Sequence, residues 1–151
     1  MVGSVYVAAG GDDGVRRLAE AWHRRVLADE VVSHAFSHGF HPEHTERLAA
    51  YWAEAWGGPA TFSTRYRGDD TLVLRMHAGQ GRHEEMDDRA VACFDQALAD
   101  VEVTDERLAA TLHDYFAWVV AEMAGYPESP DQVPDGLAVA RWSWDGPLES
   151  V

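Results

Sequence analysis

The sequence predicts a single all-α domain followed by an irregular C-terminal extension, and three observations carry that prediction. Apolar residues recur at helical spacing in four long segments. The chain has 151 residues, enough for one sizeable core and short for two. Hydrophobic residues make up 46% and charged residues 25%, the balance of a globular protein rather than a disordered or fibrous one. The domain is placed at residues 1–125 and the extension, packing on the same domain, at 126–151.

The first long helix is expected after the turn Gly10-Gly11-Asp12-Asp13-Gly14, with Val15, Leu18, Ala19, Trp22 and Val26 on one face and His23 beside it. A shorter piece from Glu30 to Phe36 leads into Ser37-His38-Gly39-Phe40-His41, where glycine and polar residues break the periodicity. Pro42 suits a first helical turn. The helix it opens carries Leu48, Tyr51, Trp52 and Ala55 on a stripe and runs to Trp56, where Gly57-Gly58-Pro59 stops it.

Residues 60–70 read as an irregular connection holding Phe62 and Tyr66. The irregular segment continues through an apolar run with one arginine, Arg75, that delivers His77, and the chain breaks at once into Ala78-Gly79-Gln80-Gly81. Glu84-Glu85 open the next helix, whose apolar face is Ala90, Phe94, Ala97, Leu98 and Val101. Thr104-Asp105-Glu106-Arg107 starts the last one, striped by Leu108, Leu112, Tyr115, Phe116, Val119 and Met123. From Tyr126 onward Pro, Gly and Asp dominate, and Trp142 and Trp144 are candidates to fold back onto the helices.

Twelve Lys and Arg against 26 Asp and Glu give a formal charge of -14, a surface that repels phosphate backbones and anionic lipid headgroups. Nucleic acid and membrane partners are therefore not expected. Cys93 is the single cysteine, which excludes an intramolecular disulfide and a cysteine-built zinc or iron-sulfur site, and suits a reducing cytoplasm. The apolar stretches are interrupted by charge within a few residues, so neither a leader nor a spanning segment is expected.

His77 is the residue whose chemistry asks for an explanation. The plain reading is a hydrogen-bonded core histidine. Yet Leu72, Val73, Leu74 and Met76 would surround it with apolar atoms, and the breaks at Gly79 and Gly81 would leave room beside it. An apolar cavity with a single nitrogen donor suits haem, whose porphyrin supplies four ligands and needs one from the protein. Zinc would want more protein ligands nearby.

Five segments carry a resemblance: Tyr6-Val7-Ala8-Ala9-Gly10-Gly11, LADEV at 27–31, ERLAAYWAEAWGGP at 46–59, RMHA at 75–78 and RWSWDG at 141–146. In that order and spacing the chain resembles the group II truncated haemoglobins over nearly its whole length. The resemblance implies a two-over-two helical sandwich, a truncated globin, around haem b. His77 matches the proximal iron ligand, Arg75 beside it can reach a haem propionate, and Arg47 matches a second position that faces one. Phe36 takes the aromatic place against the haem; Leu48, Trp52, Phe62, Met76, Ala90 and Phe94 are assigned with it to the cofactor-binding wall.

The distal side departs from that pattern. The family's distal tyrosine aligns with His23, the early position on the next helix, often a small residue, is His44, and a characteristic tryptophan aligns with Ala90. A neutral His44 or His23 would donate to a bound diatomic ligand, a bond worth about 1 to 3 kcal/mol that slows release roughly ten- to a hundredfold. Alternatively one of the two binds the iron itself, and Ala90 opens room for larger ligands or water.

The ligands expected are O2, NO and CO. NO dioxygenation and peroxidase-type chemistry stand open beside simple O2 binding, with His44 and His23 as the catalytic candidates. No glycine-rich dinucleotide motif occurs, so electrons would come from an unidentified donor. A monomer or a homodimer is expected. Two other readings remain: a non-haem zinc or iron site built from His34, His38, His41 and His44 with Glu43 or Glu46, and a haem-free globin-fold interaction module.

Overall fold

The computed structural model describes residues 3–36 and 43–148. Seven α-helices run through it: α1 (Val5–Ala8), α2 (Gly11–Ala28), α3 (His44–Ala55), α4 (Thr61–Thr64), α5 (Asp70–His77), α6 (Glu84–Asp100) and α7 (Glu106–Met123). Short 3-10 turns at Val32–Phe36 and Pro130–Gln132 and a two-stranded ribbon, β1 (Trp142–Ser143) with β2 (Gly146–Pro147), complete the described chain.

The four long helices are those the periodicity predicts. α2 packs along α3 on one side and α6 on the other, and α6 packs on α7, so the pairs α2/α3 and α6/α7 form the sandwich. Asp12 and Asp13 open α2 and Glu84, Glu85 and Asp87 open α6, negative charge where the helix dipole is positive. Asp105 caps α7, its carboxylate accepting from the Leu108 amide at 2.8 Å. At the end of α3, Gly57 takes φ +97°, a left-handed turn that costs glycine nothing, and the Gly58 amide closes on the Ala53 carbonyl at 2.8 Å.

Three expectations are corrected. α2 begins at Gly11, inside the stretch read as a turn, and α1 precedes it, because Ser4 caps the short helix through the Val7 amide at 3.2 Å. Residues 60–70 contain the turn of helix α4. The run ending at His77 is a regular two-turn helix, α5, capped by the Asp69 carboxylate at the Leu72 amide, 2.8 Å. The expected start of α3 at Pro42 falls outside the described residues; the described helix starts at His44.

The core is aromatic. Trp52 stacks on Trp56 at 5.6 Å between ring centroids and Phe94 on Phe116 at 4.4 Å, while Trp22, Tyr115 and Trp142 meet these rings or each other edge-on. Edge-on and offset rings contribute beyond their buried area. The chain after α7 joins this core: Val139 and Trp142 are buried in it, and the Trp144 indole donates to the Gly3 carbonyl at 2.8 Å.

Candidate functional site

α5 divides cleanly into two faces. Thr71, Leu74 and Ala78 are buried, whereas Leu72, Met76 and His77 are exposed, with Val73 between them. Leu72 and Met76, four residues apart, lie one above the other, and His77 follows on the same side of the helix. Met76 is 64% exposed and Leu72 46%, an unusual display of large apolar side chains around an imidazole.

The imidazole is oriented by its own helix. His77 Nδ1 lies 2.7 Å from the Val73 carbonyl oxygen. A carbonyl only accepts, so Nδ1 carries the proton and Nε2 keeps its lone pair, the tautomer a metal ligand requires. Desolvation by the protein atoms packed around the ring holds the pKa below the ordinary histidine value, opposed in part by the bond to the Val73 carbonyl. His83 donates from Nδ1 to the Asp87 carboxylate at 2.8 Å. The donor and its apolar surround thus fit a ring-shaped cofactor that asks one nitrogen of the protein.

A second group of rings gathers where α2, α3 and the 3-10 turn at Val32–Phe36 meet. His23 and His44 lie 4.7 Å apart, Phe36 and His44 5.3 Å, and His23 and Phe36 6.2 Å, each pair edge-on. His23 is buried and its Nδ1 is 2.8 Å from the Thr45 hydroxyl. Burial, and secondly His44, lower the His23 pKa to about 3, so the ring is neutral at physiological pH. Leu48 follows His44 one turn along α3 and packs towards the main core.

The remaining candidates are more dispersed. Trp52 and Phe94 are fully buried among the aromatic core rings, and Phe62 is buried against Tyr51 at 5.0 Å. Ala90 sits with Met86, Phe36 and Trp22, and the Trp22 indole donates to the Ala90 carbonyl at 3.1 Å, so an indole borders this position from α2. Arg47 lies over the Tyr66 ring at 5.4 Å and pairs with Glu43 at 3.4 Å. Arg75 is held by the Val133 carbonyl at 3.1 Å and the Asp135 carboxylate at 2.5 Å.

Two contributors lack a signal in the sequence. Thr45 sits early in α3, where threonine is unremarkable, and only the fold brings it to His23. Trp22 reads as a core stripe residue, and its donated bond to α6 depends on the crossing of two helices. Of the four histidines considered for a non-haem metal, His38 and His41 lie outside the described residues. Among the described residues no group of three or more His, Cys, Asp or Glu could hold a metal ion. Among the described residues no helix is long and apolar enough to cross a membrane.

Comparison with known proteins agrees with this architecture. The haemoglobin of the actinobacterium Thermobifida fusca is 26% identical and superposes with TM-score 0.69, covering 83% of this chain and 100% of its own. The haemoglobin of Chloroflexus aurantiacus is 23% identical at TM-score 0.69, covering 81% of this chain and 98% of its own. The group II truncated haemoglobin of Bacillus anthracis is 15% identical at TM-score 0.73, covering 83% and 94%, a likeness of fold. A search of curated proteins finds no match. The description "Bacterial-like globin" matches residues 4–122, which span both helix pairs, His23, His44 and His77, and the chain belongs to that family of globins.

Proposed function

We propose that this globin holds haem b through His77 Nε2 and takes O2 or a related diatomic gas, NO or CO, on the side where His23 and His44 meet. The observation that supports it most is the His77 tautomer: the Val73 carbonyl takes the Nδ1 proton, so Nε2 is left to coordinate from an apolar surround. Haem, when bound, supplies an iron with one position open to a small ligand. The chain's own residues do the rest.

Leu72 and Met76 offer apolar surface to the macrocycle on the His77 side, and Phe36 an aromatic edge near the histidine pair. Of the two arginines assigned to propionates, Arg47 is the less committed, because Arg75 already serves Val133 and Asp135. His23, neutral and tied to Thr45, presents an imidazole that donates to or accepts from a polar ligand without carrying charge into the pocket. His44, packed against it, adds a second imidazole. A neutral imidazole with a second one beside it suits retention of a polarised diatomic ligand, and proton delivery where turnover occurs, with electrons from a separate donor.

The test is an absorption spectrum of the haem-reconstituted protein, with and without CO, beside His77→Gly. The variant should lose the histidine-ligated spectrum and regain it when free imidazole is supplied. A variant that keeps full colour and CO binding without imidazole overturns the assignment.

A further inference from the structure

The family match ends at residue 122, yet the chain beyond it grips the helix that carries His77. α5 has eight residues, two turns, and a helix so short does not hold its own position in water. The later chain meets it at both ends and along its buried side. At the start, the Leu137 carbonyl accepts from the Asp70 and Thr71 amides at 2.9 and 3.4 Å, taking first-turn donors that have no partner inside the helix. The Ala140 amide donates to the Asp70 carboxylate at 2.9 Å.

Past the other end, the Gly79 and Gly81 amides donate to the Tyr126 and Pro127 carbonyls, both at 2.9 Å. Gly79 has φ +74°, and a Cβ there would come within 3.1 Å of Pro130, so the glycine lets the two segments close on each other. In the middle, the buried Thr71 hydroxyl donates to the Pro134 carbonyl and accepts from the Leu137 amide, each at 2.8 Å. Arg75 bonds Val133 and Asp135, and Val133 packs on Leu74 and Ala78. Every one of these contacts lies on the faces or ends of α5 away from the exposed arc of Leu72, Met76 and His77.

We infer that residues 126–140 form a strap whose task is to set the placement of α5, with Thr71 and Arg75 as positioning residues that fix how His77 is presented to the iron. The inference rests on His77 being the iron ligand. A ligand on a pre-ordered helix loses less freedom when it binds, so a tight strap strengthens the bond and a slack one weakens it. The conserved shape of Thr71→Val removes both hydroxyl bonds at little cost in volume, and Asp135→Asn, at an exposed carboxylate, is the milder change should the first fold poorly.

Two readouts decide it. Amide hydrogen exchange is followed helix by helix in the haem-reconstituted protein, and the iron-histidine stretching band by resonance Raman in its ferrous form. Thr71→Val should speed exchange in α5 by roughly tenfold while α2, α6 and α7 keep their rates, the scale of a lost hydrogen bond or two. It should also shift and broaden the iron-histidine band; Thr71→Ser should restore both, and Asp135→Asn should move both less in the same direction. Equal acceleration in all helices, an unmoved band, or no change in exchange overturns the strap. A wild-type band that is present but unmoved in Thr71→Val sinks the strap alone, whereas a wild type without the band, indistinguishable from His77→Gly, sinks the ligand assignment and the strap with it.

Discussion

His23 sits buried beside His44 and Thr45, and its environment has a measurable cost in acid. Its pKa is lowered from 6.5 to about 3, chiefly by desolvation and then by His44. The unfolded chain therefore binds this proton more readily than the folded protein does. Stability is complete above about 6.5 and falls as the pH drops toward about 3, at up to about 1.4 kcal/mol per pH unit. The urea midpoint should decline across this range, and His23→Phe should make the decline shallower; an equally steep profile in the variant would show that His23 is not its source. The chain has eight histidines, and the family resemblance is what singles out positions 23 and 44 among them, while His77 stands out by its apolar run and glycine break. Thr45 does not stand out, since a hydroxyl near a helix start is common and only the α2–α3 crossing turns it toward His23.

At the level of elements, long helices betray themselves and short ones do not. α2, α3, α6 and α7 each repeat an apolar stripe over three turns or more, and that repetition is what periodicity detects. α5 has too few turns to repeat, and its start, Gly68-Asp69-Asp70, has the composition of a loop. Its boundary is set instead by one bond, from the Leu72 amide to the Asp69 carboxylate at 2.8 Å, and by the later chain pressed on its buried face. Removing that acceptor with Asp69→Ala should cost about 1 kcal/mol, the usual loss for an N-cap. Asp69→Ser should recover most of it. Chemical denaturation of the three proteins checks this, and an Asp69→Ala variant as stable as the parent would mean that the strap alone defines the helix start.

On the scale of the whole molecule, the four amphipathic helices are legible in their periodicity and their pairing in the family resemblance, whereas the polar attachments of the final segment are not. Residues 126–148 contain proline, glycine and aspartate without a period, so their partners are backbone groups far away in sequence, which no local pattern encodes. Only the tryptophans hinted at a return to the core, and Trp142 makes it. Its indole donates to the carbonyl and the hydroxyl of Thr111, both at 3.1 Å, and its ring meets Tyr115 edge-on at 5.6 Å and Trp118 at 5.7 Å. It is thus the anchor at the far end of a segment whose near part holds α5. Trp142→Ala would empty a large site in the main core, at a cost of about 3 to 5 kcal/mol. Because the ring ties the segment to α7, the loss should also loosen α5, some way off along the chain. Hydrogen exchange in Trp142→Ala should therefore accelerate in α5 more than in α2; acceleration confined to α7, with α5 protected as before, would show that Trp142 and the strap are held independently.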